Sequence, residues 1–146
     1  MTVIVGLQPF IVEAERRLAD AGIAEPHGEA VTLVQLAVAF HASNAHRSLH
    51  ELVEASITER EAHRSIARIA GFKHFNGLPL QLDDDVYEPC ASSERLLEHA
   101  LAFSATRAEP LRVLDLGTGT GNLLLAALHA LPNPDHASDA RASRLI

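Results

Sequence analysis

The chain has 146 residues, the length of one ordinary domain or two small ones. Hydrophobic residues make up 47% and aromatic ones only 4%, so a packed core must be built mainly from Leu, Ala, Val and Ile. A formal net charge of −7 with no basic stripe argues against direct nucleic-acid binding, which needs clustered Lys and Arg, and no apolar run is long enough to span a membrane.

The first part reads as helical. Ile11, Ala14, Leu18 and Ala21 recur at helical spacing, and Gly22 stands where a C-terminal cap belongs. Pro26 follows. From Glu29 to Phe40 an apolar face carries Ala30, Leu33, Val34, Ala37 and Val38. His41 to Ser48 is polar and reads as a loop, and Leu49 to Ala55 is a third helical stretch. Thr58-x-x-Glu61 has the form of a capping box and predicts a fourth helix running to Ile69. Four helices in a row predict a small bundle.

The period then changes. Phe72 to Phe75 and Leu78 to Leu82 flank Asn76-Gly77, a pair suited to a tight hairpin because both turn residues need positive φ. Asp83-Asp84-Asp85 is a polar break, and Val86-Tyr87-Glu88-Pro89 reads as extended. Ser92 is placed to cap a helix from Ser93 to Phe103. Glu109-Pro110 is a second break, and Arg112 to Leu116 reads as a buried strand. A helix opening at Gly121 or Asn122 continues to Ala130, and Pro132 and Pro134 end it. The tail from Asn133 to Ser143 has no clear period.

Chemistry enters at Asp115-x-Gly117-x-Gly119-x-Gly121, set between the predicted strand and helix. Strand, glycine loop and helix follow one another this way at the first turn of nucleotide-binding α/β sheets. Glycines let a backbone approach a ligand closely, and the helix start presents free N–H groups. A dinucleotide fingerprint read from Gly117 would need glycine at Asn122, and read from Gly119 it would need glycine at Leu124. A phosphate-binding P-loop needs Gly-Lys-Ser/Thr, which is absent. A nicotinamide or flavin site and a tight turn packed for structure alone remain the competing readings.

The pattern Asp-x-Gly-x-Gly-x-Gly resembles the first motif of class I methyltransferases, in which the loop wraps S-adenosylmethionine. The preceding residues narrow the resemblance. Ile69-Ala70-Gly71-Phe72-Lys73-His74-Phe75-Asn76-Gly77 resembles the hairpin of the release factor glutamine methyltransferases. Ala19-x-Ala21-Gly22-Ile23-x-x-Pro26-x-x-Glu29-Ala30 is similar to their first helix pair. Val86-Tyr87-Glu88-Pro89, then Glu94-x-Leu96-Leu97-Glu98-x-Ala100-Leu101, is similar to the segment after the hairpin. The pieces keep the family's order from about Ala14 to Pro132.

The resemblance implies an α/β fold: a helical N-terminal domain, a β-hairpin linker and a truncated class I methyltransferase Rossmann-like domain, over residues 1–70, 71–88 and 89–146. It implies S-adenosylmethionine as cofactor, held by Asp115, Gly117, Thr118, Gly119, Gly121 and Asn122. It implies a peptide chain release factor as partner and substrate, methylated on the glutamine of a Gly-Gly-Gln loop. In the family an Asn-Pro-Pro-Tyr motif aims the amide nitrogen, and an acidic residue on the second strand holds the ribose. This sequence has no Asn-Pro-Pro-Tyr. Ser143 to Ile146 could open that second strand, and Asp139 has the spacing of the acidic residue but no apolar strand before it. The catalytic residues are therefore unassigned. Where the family has Arg, Pro and Glu, this chain has Cys90, Ala91 and Ser92, and Arg68 replaces a Tyr. A release-factor-binding module without activity is the alternative.

The remaining candidates read blandly. His41, His46 and His50 lie close in sequence, and His46 and His50 would share a helix face, but the further ligands of a metal site are missing, so no metal is expected. Cys90 has no His nearby in sequence and reads as inert. Asp83 to Asp85 lacks the rest of a calcium loop. Asp115 could serve only to hold its own loop. With one cysteine and no signal-like N-terminus, the expected location is cytoplasmic, or mitochondrial.

Overall fold

A computed structural model describes residues 6–43, 46–107, 112–131 and 144–145. The chain divides into two compact units, Met1–Ala70 and Gly71–Ile146. The break at Glu109-Pro110, the stop at Pro132 and Pro134, and Asp139 lie outside the described residues. No helix among the described residues is long and apolar enough to cross a membrane.

The first unit is all helix. It contains α1 (Gln8–Asp20), α2 (Pro26–Ser43), α3 (Leu49–Glu61) and the short α4 (Ile66–Ala70). Ile11, Ala14 and Leu18 of α1 meet Ala30, Leu33, Val34 and Ala37 of α2 and Leu52, Val53 and Ile57 of α3 in one core. The i, i+3, i+4, i+7 spacing on α2 puts its four buried residues on one face. Pro26 occupies the first helical position of α2, where no N–H partner is needed.

The ends of these helices are closed with care. After α1, Gly22 takes φ +77°, its N–H donates to the Ala19 carbonyl, and the Ile23 N–H donates to the Leu18 carbonyl, both at 3.0 Å. This is a Schellman motif, and it buries Ile23 in the same core as Leu18. After α3 the same pair of bonds recurs, His63 N–H to Arg60 at 2.8 Å and Arg64 N–H to Glu59 at 3.1 Å. Here the left-handed position is held by His63, at φ 62°.

Ion pairs tie the helices together at the core's margin. Arg17 of α1 donates to Glu54 at 2.7 Å and to Glu61 at 2.5 Å, both on α3. Arg60 of α3 holds Glu29 of α2 through two of its guanidinium nitrogens. Arg17 keeps the Glu61 carboxyl below its ordinary range, by hydrogen bonding first and by charge second.

Three expectations for this unit are corrected. Thr58-x-x-Glu61 does not open a helix, because it lies in the last turn of a continuous α3. The capping box is Ser48-x-x-Glu51. The Glu51 N–H donates to Ser48 Oγ at 3.2 Å, and the Ser48 N–H donates to Glu51 Oε2 at 2.8 Å. Ser48 has the extended backbone that an N-cap requires, whereas Thr58 and Glu61 are both engaged by Arg17. The polar loop expected from His41 is shortened, since α2 runs on to Ser43. His46 precedes the cap of α3, so it shares no helix face with His50, whose ring packs 6.0 Å from that of Phe10.

The second unit mixes strands and helices. Strands β1 (Phe72–Phe75) and β2 (Leu78–Gln81) form the expected hairpin, with Asn76 at φ 48° and Gly77 at φ 80°. Two positive φ values in succession match the right-handed strand twist, which is why Asn-Gly suits this turn. Phe75 pairs with Leu78, and Pro79 stands opposite His74. Helix α5 (Ala91–Ala105) follows, then β3 (Arg112–Val113), α6 (Asn122–Ala130) and β4 (Arg144–Leu145). Strands β3 and β4 pair in parallel, Arg112 with Arg144 and Val113 with Leu145. Phe75, Leu80, Leu97 and Ala126 form the core, so the hairpin packs into this unit with α5 and α6.

Two expectations are corrected here. Cys90, not Ser92, is the N-cap of α5, and its side chain caps no backbone N–H. Ser92 lies inside the first turn, with its hydroxyl turned back to Cys90 Sγ at 2.9 Å. The buried strand expected from Arg112 to Leu116 is instead a two-residue strand, with Leu114 70% and Leu116 83% exposed. A parallel pair two residues long has no further strand beside it among the described residues to cover those side chains.

Candidate functional site

The residues expected to hold a cofactor form one continuous loop between β3 and the start of α6. Asp115 is half-buried, Gly117, Thr118 and Gly119 are exposed, and Gly121 and Asn122 are half-buried. Gly117, Gly119 and Gly121 take φ of 74°, 54° and 73°. The alternation of glycine in the sequence is thus an alternation of left-handed backbone in space. The requirement is firmest at Gly121. It is the N-cap of α6, and a Cβ there would also meet Leu125 Cδ1 at 3.4 Å.

Local hydrogen bonds set the loop's shape. The Gly121 N–H donates to the Thr118 carbonyl at 2.8 Å, closing a turn, and the Leu125 N–H donates to the Gly121 carbonyl at 2.9 Å, opening the helix. The Thr118 hydroxyl donates to Asp115 Oδ2 at 3.1 Å. Asp115 therefore does hold its own loop. A carboxylate has room for further donors, so this bond does not exhaust its acceptor capacity.

The sequence does not single out Thr120. Its hydroxyl oxygen is buried and has no hydrogen-bond partner. Buried hydroxyls are rarely left so. No sequence signal would have found it, because Thr between two glycines has no distinctive pattern. Open glycine backbone and a carboxylate with spare capacity together suit a small polar ligand.

Beside the loop lies an apolar groove of about 290 Å³, lined by Leu96, Leu97, Val113, Leu114, Leu124 and, at its polar end, Asp115. The single cysteine, Cys90, sits at the start of α5. Hydrogen bonds from the Ser92 hydroxyl, then from Ser93, lower the Cys90 thiol to about 7. In the first unit, a smaller cavity of about 240 Å³ between α1 and α2 is lined by Leu7, Ile11, His27, Val31 and Val34. Among the described residues, no three His, Cys, Asp or Glu side chains gather as a metal site would require.

No family model matches the chain. Its curated relatives are consistent with one another. It is 33% identical to the release factor glutamine methyltransferase of Agrobacterium fabrum, over 81% of this chain and 45% of that protein. It is 31% identical to that of Streptomyces coelicolor, over 84% of this chain and 45% of that one. Against the Escherichia coli protein it is 37% identical over 56% of this chain and 28% of the other. The chain spans a little under half the length of the relatives it matches most fully. It is similar to the release factor glutamine methyltransferases, and the likeness is to a family of enzymes.

Proposed function

We propose that the chain is the cofactor-loop portion of an S-adenosylmethionine-dependent protein methyltransferase. Its substrate in this reading is the glutamine of the Gly-Gly-Gln loop of a peptide chain release factor. The observation that carries the reading is the loop itself: three alternating glycines at positive φ between β3 and α6, beginning at Asp115. The domain reading goes with it, residues 1–70 recognising the release factor, 71–88 linking, and 89–146 contributing the start of a Rossmann-like methyltransferase domain.

Each loop residue has a stated job. Gly117, Gly119 and Gly121 keep side chains away from the space above the backbone. Asp115 and Thr118, already bonded to each other, offer acceptor and hydroxyl groups on one side. Asn122 opens α6, where N–H groups without helical partners face the loop. S-adenosylmethionine, when bound, supplies an electrophilic methyl group. Orientation of the amide nitrogen is not assigned to any residue here, since the sequence contains no Asn-Pro-Pro-Tyr. A release factor as partner would place the work where translation occurs, in the cytoplasm or the mitochondrion.

Calorimetric titration of S-adenosylmethionine into the purified chain tests the reading. Binding is expected, and Asp115→Ala should weaken it at least tenfold, about the effect of losing one charge-assisted hydrogen bond. A folded chain that takes up no cofactor would remove the enzymatic reading. The second reading is a release-factor-binding module without activity. It is favoured by the self-contained core of the first unit. Release-factor capture by a chain that binds no S-adenosylmethionine would select it.

A further inference from the structure

We draw no further inference here: the strongest candidate, the apolar cavity between α1 and α2 lined by Ile11, Val31 and Val34, carries nothing because nothing in the structure shows what covers it.

Discussion

The two units solve the same problem to different degrees. The first closes its helices with two Schellman motifs and a capping box, and ties them through Arg17 and Arg60. Its core draws on three long helices. Among the described residues, the second gathers a smaller core around Phe75, Leu80, Leu97 and Ala126 and leaves Leu96, Leu114 and Leu116 in solvent. Burial is the main favourable term in folding, and helical stability in proteins comes mostly from a packed apolar face. Among the described residues, the unit carrying the candidate site leaves more of its large apolar side chains in solvent than the unit without it.

Four substitutions or titrations sharpen or break this contrast. The largest effect is expected from Phe75→Ala, which empties the centre of the smaller core. A loss of about 3–5 kcal/mol is expected, enough to unfold the second unit. Hydrogen exchange should then show α5 and α6 unprotected while α1 to α3 keep their protection. Loss of protection in both units together would mean that they do not fold separately. Next is Arg17→Met, which strips Glu54 and Glu61 of their partner and should cost the first unit about 1–3 kcal/mol in urea denaturation. The same contact carries a pH dependence. The folded Glu61 carboxyl lies below the ordinary value of 4.5, so its contribution is present above 4.5 and is lost as pH falls through the folded value. Acid titration of the first unit should therefore be steeper in the parent than in Arg17→Met.

A thiol titration probes the second unit at the head of α5. With its thiol at about 7, Cys90 is about half thiolate at neutral pH, against a few per cent for an unperturbed cysteine. Alkylation by iodoacetamide should rise through pH 7, and Ser92→Ala should move that rise upward. An unchanged profile would show that the Ser92 hydroxyl does not stabilise the thiolate. The smallest effect belongs to His63, a residue with a Cβ in left-handed backbone. Replacing it as His63→Gly should raise the thermal midpoint of the first unit, by an amount matching about 0.5–1 kcal/mol. A fall would mean that the imidazole contributes more than the strain costs.

What the sequence predicts well here is local. Asn76-Gly77, Gly22 and the three loop glycines each answer a backbone demand that the residue itself satisfies. What it predicts poorly depends on distant partners. Ser48-x-x-Glu51 and Thr58-x-x-Glu61 share one pattern ten residues apart, and the difference between them is Arg17, more than thirty residues away, which engages the second. Val113 to Leu116 has the composition of a buried strand, but burial is conferred by neighbours. Thr120 shows the same limit inside the site, since nothing near it in sequence reveals that its hydroxyl is without a partner.

Pro79 gives the hairpin a consequence for assembly. In a two-residue hairpin the residue opposite His74 directs its backbone nitrogen away from β1, to the outer side of β2. Proline has no hydrogen there to give. A strand arriving at that side would find one rung of the ladder missing, a recognised protection against sheet edges growing into fibres. The hairpin of the second unit thus carries at β2 an edge that refuses company, and a strand of another molecule should not add to the sheet there.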